Sequence, residues 1–149
     1  MSFGKHSMPF KYIPEIATAD IAFEATGKNL NGLFESCAMA VEDTMVETKG
    51  IKTNVSKEIK LSDKELEKLL FDFLNELVYM KDADLLLFSK VKCSIKESKG
   101  KYSLVAVLKG EKIDTKRHEL RNDIKAVTWH MFKIEKIRTG YKALIIVDV

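Results

Sequence analysis

Cysteine and proline are nearly absent from this chain, and neither sign of charge dominates it. Its 149 residues hold two cysteines and two prolines, with 25 basic groups against 22 acidic ones. Cys37 and Cys93 are far apart and show no CxxC spacing, which excludes a disulfide framework or a zinc site of thiolates and leaves two reduced, packed thiols. Pro9 and Pro14 both precede the first expected regular element, and no Pro/Gly/Ser-rich stretch follows. A linker between domains is therefore not expected. The net charge of +3 argues against a surface that grips a phosphate backbone unaided, because each neutralised phosphate needs its own lysine or arginine. No apolar run reaches the ~20 residues of a membrane span. Met1 to Pro9 has neither the apolar centre nor the cleavage pattern of a signal peptide, so residues 1–10 read as a loose lead-in to a single cytoplasmic domain over 11–149.

What is present is clear periodicity. Thr18 to Ala25 alternates as a strand, Gly27 turns the chain, and Asn29 is placed to cap a helix. Leu30, Leu33, Phe34, Cys37, Ala38, Val41 and Met45 recur at three- and four-residue steps and share one helical face. Val55 to Leu61 reads as a weaker strand. Ser62 followed by Glu65 predicts a capping box, and Leu66, Leu69, Leu70, Phe73, Leu74, Leu77 and Val78 then write a second amphipathic helix. Asp72, Asn75 and Glu76 fall on what reads as its solvated face. Two hairpins complete the chain: Leu85 to Ile95 with Tyr102 to Lys109 around Ser98-Lys99-Gly100, and Ile124 to Ile137 with Tyr141 to Val149 around Thr139-Gly140. A polar connection over Gly110 to Asn122 joins them. The expected class is α+β, with two amphipathic helices on one face of a mostly antiparallel sheet of about six strands.

Chemistry has few places to sit. Asp20 and Asp148 are carboxylates in apolar strand sequences, where an unpaired charge is costly to desolvate. Asp148 also lies beside the carboxylate of Val149. Oxygen donors without a soft partner suit a hard cation, calcium first for the isolated protein, with magnesium or manganese as alternatives. The competing reading is that each aspartate is solvated or paired with a lysine. A second group is Arg117-His118-Glu119 and Lys125-Ala126-Val127-Thr128-Trp129-His130. On a strand, Lys125, Val127 and Trp129 point one way and Ala126, Thr128 and His130 the other. Lys125 is a candidate to hold a phosphate or a partner's carboxylate. His118 and His130 are candidate ligands or proton carriers, although two lone histidines more often pack or hydrogen-bond. No phosphate-binding glycine loop, no nucleophilic triad and no aromatic-rich basic strand is legible. Three functions stay open: an accessory protein, a metal-dependent phosphohydrolase, and an RNA-binding or chaperone-like module.

Taken together, the segments resemble the archease family. The likeness runs through Thr18-Ala19-Asp20-Ile21, Gly27-Lys28-Asn29-Leu30, Phe71-Asp72-Phe73-Leu74-Asn75-Glu76-Leu77, Leu85-Leu86-Leu87-Phe88, Arg117-His118-Glu119, Lys125 to His130 and Val147-Asp148-Val149. It implies a divalent cation held by Asp20, Asp148 and Val149, with Lys125 the functional member of its segment. It also implies a partner, the RtcB-type RNA ligase of tRNA splicing and RNA repair. Archeases promote guanylylation of that ligase's active-site histidine, support multiple turnovers and broaden its nucleotide choice. The chain would then be an activator and no enzyme itself, meeting RNA only through the ligase. Two positions depart from the family pattern: Ala17 stands where a histidine is usual, and Trp129 where a tyrosine is usual. Loss of a residue that orients a metal shell implies weaker metal binding.

Overall fold

The computed structural model describes residues 9–14 and 20–149. Seven strands and two long helices follow one another as β1 (Phe10–Tyr12), β2 (Ile21–Gly27), α1 (Leu30–Met45), β3 (Val55–Asp63), α2 (Leu66–Asp84), β4 (Leu86–Ser98), β5 (Lys101–Lys112), β6 (Ala126–Ile137) and β7 (Gly140–Asp148). The α+β class, the two helices and the antiparallel pairing are as expected. The strands form two sheets, ordered β1-β2-β7-β6 and β3-β5-β4. The strand beyond the expected set is β1. Three residues between prolines offer no alternation to read, yet Phe10 pairs with Ala25 and Tyr12 with Phe23. Pro14 thus follows the first element instead of preceding it.

Local chemistry explains most boundaries. Asn29 caps α1, its side chain accepting from the Gly32 N–H at 2.8 Å. Gly27 and Gly140 cross so closely that a Cβ on Gly140 would stand 2.1 Å from the Gly27 carbonyl oxygen. Lys99 and Gly100 both adopt positive φ, which gives the β4–β5 hairpin the primed turn that suits strand twist. The expected capping box is corrected. Ser62 remains inside β3, Glu65 makes no side-chain cap, and the Glu65 N–H instead bonds Asp63 Oδ1 at 2.9 Å.

Each helix serves both sheets. α1 packs over β2 and runs along β4, whereas α2 packs over β3 and runs along β6. Wedged in this way, α1 is buried almost all round, including Ser36, Glu42 and Thr44. Phe34 of α1 and Phe73 of α2 stack at 6.1 Å between centroids and join the two halves of the core, where Phe23 and Phe88 are also fully buried.

The strands that the helices flank, β4 and β6, are both sheet edges. An edge presents unpaired backbone N–H groups that need partners. Along β4 they are taken by α1: Asn31 accepts from Ile95, Glu35 from Cys93 and Glu42 from Phe88. Along β6 they are taken by α2: Asn75 accepts from Val127 at 3.0 Å and Glu67 from Ile134 at 2.7 Å. Asn75, which reads in the sequence as part of a solvated helix face, is a hydrogen-bonding partner of β6.

Candidate functional site

The sheet register gathers the sequence-predicted acidic residues. Ile21 pairs with Val147, and Val147 with Val127, so three strands end side by side. One step beyond lie Asp20, immediately before β2, and Asp148, the last residue of β7, which pairs with Ala126. Both carboxylates therefore sit at strand ends rather than within apolar strands, and both residues are half-buried. Continued by one residue, the antiparallel ladder sets them on neighbouring strands with side chains on one face. Thr18, Ala19 and Ala17, which precede Asp20, lie outside the described residues.

The same sheet end carries Lys125. Its N–H donates to the Asp148 carbonyl at 2.7 Å, and its side chain is exposed. The connection leading into it is anchored at several points. Lys81, buried in the last turn of α2, forms ion pairs with Asp82 and Asp123 and donates to the Ile124 carbonyl at 2.9 Å. Arg121 donates to the Asp43 carbonyl and carboxylate, each at 3.0 Å, and to Glu47 at 3.1 Å. Val149, one residue past Asp148, packs its side chain against the core.

Asp20 also borders a 350 Å³ cleft with Tyr12, Asp43 and Arg121 on its walls. The Tyr12 hydroxyl donates to Asp43 at 2.6 Å. Burial and the Asp43 carboxylate push that phenol well above its ordinary range. Asp43 is thus already engaged by a hydroxyl and a guanidinium, and Asp20 is the other carboxylate on this wall.

The histidines do not join this group. His118 is buried, and the Asp114 N–H donates to its Nδ1 at 2.9 Å. Its proton is therefore on Nε2, which donates to Glu111 at 2.9 Å. With both ring nitrogens used, His118 has none left for an outside partner, and its candidacy as a contact residue is corrected to a structural one. Glu111 is the hub of that network. The Lys52 N–H, His118 and Arg117 hold its carboxyl down at about 2.

His130 lies in a break in β6. Thr128 pairs with Ile146 and Lys133 with Leu144, so four residues of β6 span a single residue of β7. The expected alternation through His130 ends at Thr128. Trp129 lies flat on Phe71 of α2, 4.3 Å between centroids and 1° from parallel, with Phe132 edge-on at 5.0 Å. Met131 takes a positive φ of 55° and is half exposed, like Trp129. The exposed trio Trp129, His130 and Met131 is thus presented on a bulge that a strand pattern does not reveal.

Both thiols are inert by position. Burial pushes Cys37 far up, and burial with Glu35 nearby pushes Cys93 up to about 12. No three His, Cys, Asp or Glu side chains converge as a metal cluster among the described residues. Asp20 and Asp148 at the end of the four-stranded sheet are a different kind of set. Their donors are all oxygen, as a hard divalent cation requires, so the residues present fit one. No described helix is long and apolar enough to cross a membrane.

A model of the archease protein family matches residues 10–149. The archease of Methanosarcina barkeri is 39% identical over 133 residues, covering 89% of this chain and 91% of that one. The archease of Pyrococcus furiosus is 37% identical and covers 89% and 94%. Among solved structures, protein 1598 of Methanobacterium thermoautotrophicum superposes with a TM-score of 0.84 at 32% identity, over 95% of this chain and 99% of that one. A Thermotoga maritima archease, described as a possible chaperone, shares the fold with a TM-score of 0.60 at 24% identity, over 89% and 93%.

Proposed function

Because the chain belongs to the archease family, we propose that it is an accessory protein that promotes guanylylation and multiple turnover of an RtcB-type RNA ligase in tRNA splicing and RNA repair. The observation that carries this reading is the convergence of Asp20, Asp148 and Lys125 on one end of the four-stranded sheet. Asp20, Asp148 and the Val149 carboxylate would hold a divalent cation, calcium in the isolated protein or magnesium or manganese in its place. Such a cation supplies a Lewis acid for phosphate oxygens. Lys125, tied to Asp148 through its backbone and exposed at its side chain, contacts a phosphate or an acidic group of the ligase. Trp129, His130 and Met131, farther along the same strand, add a half-apolar surface beside it, and the anchoring by Lys81 and Arg121 keeps the sheet end rigid. The protein works in the cytoplasm as an activator rather than as an enzyme.

The test is guanylylation and ligation by a purified RtcB-type ligase from the same source, with and without this protein. Faster loading and more turnovers are expected. Asp20→Ala and Asp148→Ala should each remove at least nine-tenths of the stimulation with the thermal melt unchanged, and Lys125→Ala should weaken it. Normal stimulation by both aspartate variants would discard the site. Phosphoester turnover by the isolated protein, lost in Asp20→Ala, would replace the reading with that of a hydrolase.

A further inference from the structure

The three-stranded sheet turns one face to α2 and the other to solvent. Alternation along its strands puts Ile59, Cys93 and Leu104 on the buried face. It puts Lys60, Lys90, Lys92, Lys96, Lys101 and Lys109 on the open one, and all six are exposed. The one exposed acidic residue on the open face is Glu58, which sits 3.7 Å from Lys60, while Glu111, two residues past Lys109 on the same side of β5, is buried against Arg117 and His118. The other five lysines have no ion-pair partner among the described residues. Six lysines and one glutamate amount to more positive charge than the +3 of the whole chain, so the rest of the protein is net acidic. The modest overall charge hides a concentrated field.

Stability does not account for this arrangement. Lys90 stands directly opposite Lys109, and like charges in that position destabilise a sheet. Lysines often protect exposed strand edges, but Lys101 and Lys109 lie on the central strand β5. The β4 edge is in any case already closed by Asn31, Glu35 and Glu42. The face carries no aromatic residue, and its largest exposed apolar side chain is Val105. It therefore lacks the anchor of a protein hot spot and the apolar wedge of a membrane-inserting surface. Ser94 and Ser103 stand among the lysines, and hydroxyls with lysines are what phosphate oxygens take as donors.

We propose that this face docks the phosphate backbone of RNA, without base readout, so that the chain meets RNA directly and not only through the ligase. Backbone binding stands on the charge pattern alone, whereas the choice of RNA rests on the ligase reading. The probe is a fluorescein-labelled single-stranded RNA of twenty nucleotides, read by anisotropy between 50 and 200 mM salt. Four phosphate contacts predict that log K falls against log salt with a slope of about −3. The Lys90→Glu/Lys92→Glu/Lys96→Glu variant should bind at least ten-fold more weakly with a flatter slope. The charge-matched Lys49→Glu/Lys64→Glu/Lys116→Glu variant should retain most of the affinity. If the first variant melts early, its glutamine counterpart carries the same comparison with a smaller loss. RNA-free guanylylation of the ligase should be equally stimulated by both variants, which separates failure of this face from failure of the carboxylate site. No salt-dependent binding at 50 mM, equal losses in both variants, or tighter binding to phosphatidylserine vesicles than to RNA would each overturn the proposal.

Discussion

The two seams where a helix runs along a sheet edge solve one problem in opposite ways. On the β4 side, α1 closes the edge with Asn31, Glu35 and Glu42, and the seam is dense enough to bury Glu42 completely. On the β6 side, α2 closes the edge with Glu67 and Asn75, but between them the strand swells into a bulge that exposes Trp129, His130 and Met131. The first seam spends polar side chains on sealing the core. The second uses them to fix a strand whose middle is left exposed. A helix can thus stand in for a missing strand, and how tightly it follows the edge decides whether that edge is stable scaffold or display surface.

The largest effect should come from the sealed seam. Glu42 Oε1 accepts from Phe88 at 2.9 Å, while Oε2 is buried without a partner among the described residues. Glu42→Ala orphans the Phe88 N–H and opens a cavity, for a cost of ~3 kcal/mol by urea unfolding. Burial also raises the Glu42 carboxyl to about 8, against an ordinary value of 4.5. The folded state then holds a proton that the unfolded state has released, so stability is full below about 4.5 and falls as pH rises through 8. Glu42→Gln keeps the acceptor and removes the titration. Its melting temperature should therefore lose the decline between those two values that the parent shows. Parallel profiles for both proteins would mean that Glu42 is not the group responsible.

Asn75 should matter less to stability and more to the display side. It accepts from the Val127 N–H and donates to the Phe71 carbonyl, with the Val127 carbonyl 3.5 Å away, so its amide behaves as a short piece of neighbouring strand. Asn75→Ala is expected to cost about 2 kcal/mol. Val127 lies two residues from Lys125 and beside Val147, so amide exchange should quicken first at the sheet end that carries Asp148. Uniform quickening across both sheets would mean that Asn75 supports the whole fold and not this seam.

These seams also mark where sequence reading stops. Both long helices, both hairpins and the Asn29 cap follow from period and turn chemistry, since all are local. Asn31, Glu35, Glu42, Glu67 and Asn75 are also plain in the sequence, but as polar residues on helices, for which the ordinary meaning is a wet face. Only the neighbouring strand edge, distant in sequence, gives them partners. The same gap explains His118, a titratable residue whose ring nitrogens are consumed by Glu111 and the Asp114 backbone. It explains Ser62 and Glu65 as well, whose capping spacing is overridden by the pairing of Ser62 with Ser103 in the sheet. At the candidate site, Asp20, Asp148 and Lys125 were legible as unusual residues. Their meeting at one sheet end depends on the β2–β7–β6 register, which no single segment encodes. The lysine face was invisible for a further reason: a net charge averages over the molecule, and alternation alone does not say which face is open.

The smallest effect on stability, and the sharpest on the comparison, belongs to Trp129. The indole covers Phe71 on one side and is half exposed. An aromatic pair of this kind contributes only about 1 kcal/mol beyond its burial, so Trp129→Ala should lower the melting temperature by a few degrees at most. A flat ring backed by a second ring is rigid before any partner arrives, so little side-chain entropy remains to be lost on contact. Ligase stimulation by Trp129→Ala should accordingly require a several-fold higher protein concentration for half effect, with the plateau unchanged. Trp129→Tyr preserves the stacked ring and should behave like the parent. A lowered plateau at an unchanged half-effect concentration would place Trp129 in the chemistry of loading instead of in docking. The β6 seam would then be part of the catalytic encounter, and the contrast with the sealed β4 seam would be one of chemistry rather than of exposure.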